Sequence, residues 1–357
     1  MKKFILFIVS LFTTGATFAD NTSDIQSATL IHGDQTTVFY TANALIDAYE
    51  AAIDGDKIIL SPGGFETSDI SYAGLSVEKS ISIYGAGYET DPVSGAMGTV
   101  LRGPVLVSEI KSYDEYGKET YSFPMVYLEG ISFDSFKVWG NTHGTVLSDL
   151  NAKKCKFSSF DIGADTKDCT FSQCVFTNSF FSQHTTPIHH ETLTFENCHI
   201  GGRSYSQGDD YSSNILFDHC IIKLQSTYDG IGLIANYTNC ILYNMVPEYS
   251  TVHNNIFPNH TGLSGYDIHG SGNWFNIANV GIYAAEGEDG SYGATKDFAL
   301  KFPKAYVGTD GTEVGINGGR GFNRISSIPR ITSSQIDTRA TEGKINVSIT
   351  VEAQSAE

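Results

Sequence analysis

Leu193-Thr194-Phe195-Glu196-Asn197-Cys198-His199-Ile200 and Ile215-Leu216-Phe217-Asp218-His219-Cys220-Ile221-Ile222 are two copies of one short repeat. In each copy an apolar, strand-like triplet precedes a corner residue, which is followed by any residue and then a bulky apolar one. This corner position recurs every 15 to 24 residues, at Ile131, Cys155, Cys174, Cys198, Cys220, Cys240, Asn255 and Asn273. A period of about 20 residues, built of short strands and turns, predicts a parallel β-solenoid with coils stacked about 4.8 Å apart. Because one coil cannot bury its own apolar face, we expect equivalent residues to stack as ladders.

Five of the six cysteines occupy this corner position, and Asn replaces Cys at 255 and 273. Cys and Asn at one corner predict a stack that points inward beside the core, because free Cys behaves as a small hydrophobe. Disulfides between neighbouring coils are an alternative, since stacked corners come within bridging distance. A metal site is a third reading, and it is disfavoured because the chain contains no Cys-x-x-Cys pair.

The segments on either side of the repeat differ from it in pattern. Residues 41–53 place Ala44, Leu45, Ala48, Ala51 and Ala52 on one helical face, which predicts a helix before the first coil. Near the C-terminus, Ile345, Val347, Ile349 and Val351 alternate with polar residues, which is typical of a half-buried strand. We therefore expect an N-terminal segment with a capping helix at 20–57, the repeat at 58–285 and a cap or tail at 286–357.

The N-terminus has the features of an export signal. Lys2 and Lys3 precede an apolar run at residues 4–12, and Thr17-Phe18-Ala19 offers small residues for cleavage. This run is too short to span a bilayer as a retained helix. No Cys follows the expected cut, so a lipid anchor is not predicted. The sequence predicts a signal peptide at 1–19 and a secreted, periplasmic or cell-surface protein without membrane insertion.

Composition excludes several classes of protein. The 357 residues are 41% hydrophobic and 17% charged, with a formal net charge of −18. The apolar content is too high for a disordered chain, and the charged content is too low for a long-helix protein. The acidic excess disfavours nucleic acid, because phosphate contacts need clustered Lys and Arg. It also disfavours an anionic membrane surface.

The helical N-terminal segment, the strand Gly55-Asp56-Lys57-Ile58-Ile59-Leu60 and the corner Gly85-Ala86-Gly87 resemble those of the pectin-lyase-like superfamily. The resemblance covers residues 38–285. It implies an all-β fold, a right-handed parallel β-helix with an N-terminal capping helix and a C-terminal β-strand tail. The tail is similar to the ends of other bacterial secreted β-helix proteins, and that similarity implies no activity.

Two motifs resemble catalytic segments of carbohydrate-active families, although neither set is complete. Asp218-His219-Cys220 and Asp229-Gly230-Ile231-Gly232-Leu233 resemble a pectate lyase stretch, but Leu233 stands where that family has a calcium-binding Asp. Leu supplies no oxygen ligand, so no cofactor is predicted and calcium has no identified ligand set. Asp209 and Asp210 resemble the paired aspartates of polygalacturonases, whose other motifs are missing here. If the protein is an enzyme, we expect these two carboxyls as acid and base, with Arg203 as their charge partner.

Four polar segments occupy the same phase of the repeat, at residues 109–123, 182–191, 203–213 and 226–232. Stacked coils should bring them to one edge, and loops on a rigid scaffold often carry binding groups. Tyr rings suit stacking on sugars, and polar groups can bind hydroxyls. The expected substrate-binding residues are Tyr205, Tyr211, His189, His190, Asp229, Tyr113 and Tyr116.

The sequence thus favours an exported, monomeric β-helix that binds a polysaccharide or other glycan through loops on one edge. One alternative is a polysaccharide lyase or glycoside hydrolase with an unfamiliar site on that edge. A second is an adhesin or structural component that pairs through the alternating C-terminal strand. Ordinary solvated loops without a common target are the simplest alternative of all.

Overall fold

Two long, mainly parallel β-sheets dominate the computed structural model of the chain. The structure describes residues 26–68, 74–91, 95–139, 143–180, 189–204, 214–227, 234–243, 249–262, 268–336 and 347–352. The predicted signal peptide at 1–19 therefore lies outside the described residues. Within them the fold is all-β, as the repeat predicts, with two short helices.

The first strands along the chain are β1 (Ala28–His32), β2 (Gln35–Phe39), β3 (Lys57–Leu60), β4 (Gly63–Glu66), β5 (Leu75–Val77), β6 (Ile81–Tyr84), β7 (Thr99–Ser108), β8 (Ile110–Tyr113), β9 (Glu119–Ser122) and β10 (Val126–Glu129). The middle strands are β11 (Ile131–Trp139), β12 (Val146–Ser148), β13 (Leu150–Lys153), β14 (Lys156–Gly163), β15 (Asp165–Lys167), β16 (Cys169–Ser172), β17 (Val175–Phe180), β18 (Leu193–Glu196), β19 (His199–Ser204) and β20 (Ile215–Asp218). The last are β21 (Ile221–Thr227), β22 (Asn236–Thr238), β23 (Ile241–Tyr243), β24 (Thr251–His253), β25 (Ile256–Phe257), β26 (His269–Ser271), β27 (Trp274–Phe275), β28 (Arg330–Ile336) and β29 (Val347–Glu352).

The chain passes alternately between the two sheets. The first sheet has 12 strands in the order β2-β1-β3-β6-β10-β13-β16-β18-β20-β22-β24-β26. The second has 11, in the order β4-β7-β11-β14-β17-β19-β21-β23-β25-β27, with β5 also paired to β7. Apart from the antiparallel β1–β2 and β1–β3 pairs, the described neighbours in these sheets run parallel. This alternation is compatible with the predicted solenoid.

Aromatic ladders fill the space between the sheets. In the second sheet the rings of Phe133, Phe157 and Phe176 are in register, with successive centroids 5.1 Å apart. In the first sheet Phe195, Phe217 and Tyr237 continue a similar column, with centroids 5.0 Å apart at each step. All six side chains are almost completely buried. In-register parallel pairing stacks identical positions, so each ring packs on its equivalent in the next coil.

From β13 onward, a two-residue corner joins each strand of the first sheet to the next strand of the second sheet. Its first residue has a left-handed backbone, with φ between +49° and +58° at Lys154, Gln173, Asn197, His219, Asn239 and Asn254, which we call the corner column. Asn tolerates this conformation better than most residues. The second residue is the Cys or Asn of the repeat, and the five cysteines and Asn255 are fully buried. The structure thus confirms the predicted inward stack.

All six cysteines are free thiols. Along the stack the backbone N–H of Cys174 donates to Cys198 Sγ at 3.4 Å, and that of Cys220 donates to Cys240 Sγ at 3.3 Å. Burial raises the pKa of the Cys198 thiol, which keeps it protonated and unreactive.

We expect the folded protein to resist alkylation by iodoacetamide at all six cysteines. After denaturation without reductant, mass spectrometry should show six adducts, because no thiol is consumed in a disulfide. Fewer than six adducts before reduction, with the missing ones restored by reductant, would instead support the disulfide alternative.

Residues 279–321, which we call the C-terminal segment, run along the outer face of the second sheet. The residue directly after each corner Cys or Asn points away from the space between the two sheets. At the start of β21, β23 and β25 this residue is Ile221, Ile241 and Ile256, and all three are fully buried. Tail residues cover this column, including Ile282, Tyr283, Phe298, Leu300, Val314 and Ile316. Strands with both faces covered are apolar on both, which explains the Ile-Ile and Ile-Leu pairs after Cys220 and Cys240.

The two helices are α1 (Ala44–Ala51) and α2 (Asn279–Ile282). Helix α1 buries Ala44, Leu45, Ala48 and Tyr49 and contacts β1, β2, β3 and β4. Among the described residues neither helix has the length and apolar character that crossing a membrane requires. Near the C-terminus β28 and β29 form an antiparallel hairpin, on which Val347 and Val351 are exposed.

Candidate functional site

The C-terminal ends of the second-sheet strands lie along one side of that sheet, which we call the loop edge. Ser108, Trp139 and Gly163 lie in register at the ends of β7, β11 and β14. Farther along, Ser204 of β19 pairs with Phe180 of β17 and with Thr227 of β21. Parallel strands that end together direct their connections to the same side. The strand ends that precede or open the four polar segments therefore lie on this edge, while residues 182–188, 205–213 and 228–232 of those segments lie outside the described residues.

The first of these segments is a β-hairpin formed by β8 and β9. Lys111 pairs with Tyr121, and Tyr113 pairs with Glu119. Because directly opposed residues in an antiparallel pair share a face, these four side chains lie together on one face of the hairpin. This face is the best-described part of the loop edge, and we call it the hairpin face.

A network of polar and aromatic contacts orders the hairpin face. Lys111 forms an ion pair with Glu119, and its Nζ lies 5.4 Å from the centroid of the Tyr113 ring. The Tyr121 hydroxyl donates to Glu119 Oε2 at 2.9 Å. The hydrogen bond from Lys111 lowers the pKa of Glu119, so this carboxylate remains charged as an acceptor. The network restricts side chains that would otherwise move freely in solvent.

The neighbouring coil contributes His143 to the same face. Its ring stacks on Tyr121, with centroids 3.6 Å apart and planes 5° from parallel. The His143 Nδ1 atom lies 2.9 Å from Glu109 Oε2, and the Glu109 side chain is only 9% exposed. This contact joins two coils at the loop edge and anchors the base of the hairpin.

Two tyrosines remain exposed beside this ordered face. Tyr113 is 63% exposed and Tyr116, in the turn, is 87% exposed. The turn is held by Asp114 Oδ1, which accepts hydrogen bonds from the backbone N–H groups of Tyr116 at 2.9 Å and Lys118 at 2.8 Å. Gly117 has φ of +76°, which suits glycine at this position. The hairpin thus presents two aromatic rings to solvent on an organised support.

Of the other predicted site residues, the structure describes Arg203, His189 and His190. Arg203 lies exposed near the end of β19, and His189 is exposed with its backbone N–H bonded to Asp165 Oδ1 at 2.7 Å. His190, by contrast, is fully buried, and its Nδ1 lies 2.8 Å from Thr166 Oγ1. It forms a bridge to Thr166 beside the β12–β15 pair, so this imidazole contributes to packing and is not at the surface. The remaining predicted site residues lie outside the described residues: Tyr205, Asp209, Asp210, Tyr211 and Asp229.

The imidazole of the Asp218-His219 motif is buried and takes part in packing. The His219 side chain is 2% exposed, because residues of the C-terminal segment cover it. Its Nε2 lies 3.1 Å from Thr312 Oγ1, and its Nδ1 lies 3.0 Å from Asp218 Oδ1. The likeness to the pectate lyase segment therefore does not correspond to an open site at this imidazole.

Residues 307–321, which we call the strap, are the feature that reasoning from sequence missed. The strap runs back along the corner column and bonds to five of its members: Asn254, Asn239, His219, Asn197 and Gln173. The residue after the corner Cys is Lys156 in an early coil but Ile221 and Ile241 in later coils. This change from a polar to an apolar residue could have indicated that another segment covers the later coils. The strap lies at the corner between the sheets, and the loops leave from the opposite end of the second-sheet strands.

No group of three or more His, Cys, Asp or Glu side chains suited to a metal ion occurs in the part of the chain that the structure describes. Comparisons of the chain with protein-family models, with curated proteins and with solved structures gave no match.

Proposed function

We propose that the protein is an exported right-handed parallel β-helix of the pectin-lyase-like type that binds a polysaccharide along its loop edge. The fold proposal is supported by the two parallel sheets, the regular corner column and the buried Cys and Asn stack. The export proposal is supported by residues 1–19 alone. The proposed binding needs no cofactor and is compatible with a monomer.

The observation that carries the binding proposal is the hairpin face with its two exposed tyrosines. A sugar ring offers an apolar face to an aromatic ring and hydroxyls to neighbouring polar groups. Tyr113 and Tyr116 supply the aromatic surface, and Lys111 and Glu119 supply a donor and an acceptor nearby. The strand ends before the four polar segments lie on one side of the second sheet, which supports an extended glycan that contacts more than one coil.

The charge of the chain favours a neutral glycan over a polyuronate. The formal net charge is −18, and the turn of the hairpin adds Asp114 and Glu115 beside the tyrosines. Like charges repel a polyanionic ligand unless cations screen them. We therefore place neutral polysaccharides first among the ligands to be tested.

Replacing both Tyr113 and Tyr116 with alanine should weaken glycan binding by about tenfold or more, because the loss of each ring removes about 0.5–1.5 kcal/mol of stacking energy. Affinity gel electrophoresis with neutral glucan, mannan and galactan, and with pectin and alginate, measures the retardation of each variant. Tyr40→Ala is a matched control, because Tyr40 is 46% exposed and lies next to β2, away from the hairpin. The proposal is wrong if no polysaccharide retards the wild-type protein, or if the double variant is retarded equally.

A further inference from the structure

Of the five corner-column side chains that bond to the strap, four are amides and one is titratable. Outside the column, Arg320 of the strap lies 4.0 Å from Glu196 of β18, with the Arg320 side chain 81% exposed. Asn254 Nδ2 donates to the Val307 carbonyl at 2.9 Å, and Asn239 Oδ1 accepts from the Thr309 N–H at 2.8 Å. Asn197 Nδ2 donates to the carbonyls of Ile316 and Gly318 at 2.9 and 2.7 Å. At the same position of the intervening coil stands His219. Amides keep their hydrogen-bonding capacity at any physiological pH, whereas an imidazole does not.

Both ring nitrogens of His219 face oxygen atoms. Nδ1 lies 3.0 Å from Asp218 Oδ1, and Nε2 lies 3.5 Å from Asp310 Oδ1 and 3.1 Å from Thr312 Oγ1. The Thr312 hydroxyl already accepts from the Gly319 N–H at 2.7 Å and donates to the Asp310 carboxylate at 2.9 Å. A carboxylate only accepts, so this arrangement is satisfied when both ring nitrogens carry protons. A neutral ring protonated at Nε2 points the Nδ1 lone pair at the Asp218 carboxylate. A neutral ring protonated at Nδ1 is satisfied only if the Thr312 hydroxyl turns to donate to Nε2, and the Asp310 carboxylate then loses that donor.

We propose that the strap is a pH-sensitive latch, fastened to the coils while His219 carries both ring protons and loosened when it loses one. The Asp310–Thr312 turn and the Gly318–Gly319 backbone close over the imidazole, and a Cβ on Gly318 would lie 2.4 Å from His219 Cδ2. Loss of the proton therefore acts where the strap backbone lies directly against a corner-column side chain.

The groups around the ring determine the direction of the effect. They are Asp218 and Cys220 on its own coil, Asn197 and Asn239 on the neighbouring coils, and Asp310, Thr312 and Glu313 on the strap. Burial alone would lower the pKa of His219, but the hydrogen bond to Asp218 and the charges of Asp218 and Asp310 raise it overall. A raised folded-state pKa stabilises the fold on the acid side, and this stability is lost as pH rises through that pKa.

The two strap carboxylates and the other nearby imidazole do not reverse this direction. Burial raises the pKa of Glu313, so its titration also stabilises the fold on the acid side. Burial tends to raise the pKa of Asp310, but its hydrogen bonds from Thr312 and the charge of His219 lower it overall, so it remains an anion in mild acid. Burial lowers the pKa of His199, which contacts the C-terminal segment at Gly290, to about 4. His199 is therefore neutral over the range in which His219 titrates.

Hydrogen exchange measured by mass spectrometry on peptides covering residues 307–321, at about pH 5.5 and about pH 8, tests this proposal on either side of the usual His range. After correction for intrinsic exchange, we expect the opening equilibrium of the wild-type strap to rise about tenfold at the higher pH, because a hydrogen bond to a charged partner is lost. His219→Asn should remove this dependence, since Asn occupies the same backbone conformation at 197 and 239.

Two further variants keep the test decisive. Asp310→Asn removes one anion from a side chain that is 38% exposed, and should reduce the pH dependence without loss of the fold. His253→Asn is the matched control, because His253 lies on β24 with its ring near Ser271, and should leave the dependence intact. Equal strap protection at both pH values in the wild type, or an unchanged pH dependence in His219→Asn, would overturn the proposal.

Discussion

Replacing Phe160 with alanine is expected to lower the free energy of unfolding by about 3–5 kcal/mol, the largest effect we predict for a single substitution. Phe160 is fully buried on β14 and stacks between Phe136 of β11 and Phe180 of β17, with centroids 6.2 and 5.7 Å away. Its ring also meets Phe171 and Phe176 edge-on, each at 4.9 Å. Neighbouring coils hold these rings in place, so the cavity left by alanine cannot collapse easily.

Urea denaturation followed by circular dichroism measures this change. Phe302→Ala is the matched control, because Phe302 is 54% exposed and its loss should cost less than about 0.5 kcal/mol. Since stacked repeats can unfold in stages, hydrogen exchange at β14 and β17 should report the same loss locally. Indistinguishable midpoints for the Phe160 variant and the control would show that the aromatic ladder is not the core we describe.

Replacing Asn197 with alanine is expected to cost about 3 kcal/mol and to release the middle of the strap. Asn197 is 4% exposed, and its amide donates to the carbonyls of Ile316 and Gly318. Alanine leaves both carbonyls without this donor, and it also strains a backbone with φ of +49°. The two costs add because they arise from different atoms of one residue.

Two variants separate these costs. Asn197→Gly removes the amide but accepts the left-handed backbone, so it should retain the hydrogen-bonding loss alone. Asn276→Ala keeps a similar strain, with φ of +54°, at an exposed residue that follows β27. Hydrogen exchange of residues 307–321 should increase in both Asn197 variants and not in Asn276→Ala. Unchanged strap exchange in Asn197→Gly would refute the fastening role of this amide.

The position of the strap bears on the proposed function. It binds the corner column and the outer face of the second sheet, whereas the loops leave from the other end of the same strands. A binding edge for a glycan and a covering segment can therefore coexist on one scaffold. Opening of the pH latch should loosen the covered side and leave the hairpin face intact, because the hairpin follows the C-terminal end of β7, whereas the strap binds the corners that precede the second-sheet strands.

The sequence predicted where the candidate site lies in the repeat, but it did not predict most of the contacts within that site. The phase of the repeat predicted that residues 109–123 lie on an edge shared with three other segments, and the chemistry of tyrosine made Tyr113 and Tyr116 candidate binding residues. It did not predict that His143 from the next coil stacks on Tyr121, because nothing near residue 143 marks its partner. His190 was misjudged for a similar reason, since a polar residue in a polar segment gives no sign that Thr166 of another coil buries it.

By itself the sequence determined the all-β class, the parallel stacking of short strands and the inward ladders of Phe, Cys and Asn. These features depend on the alternation of apolar and polar residues along each strand and on a repeat of about 20 residues. Both patterns can be read in the sequence of every coil. Only the tertiary structure decided the course of the strap, the burial of His219 between two carboxylates and the ordered hairpin face. The contact of Asn197 with Ile316 joins residues 119 positions apart. A strap without a repeat of its own carries no periodic signal, and its path follows from which outer faces of the coils are left apolar.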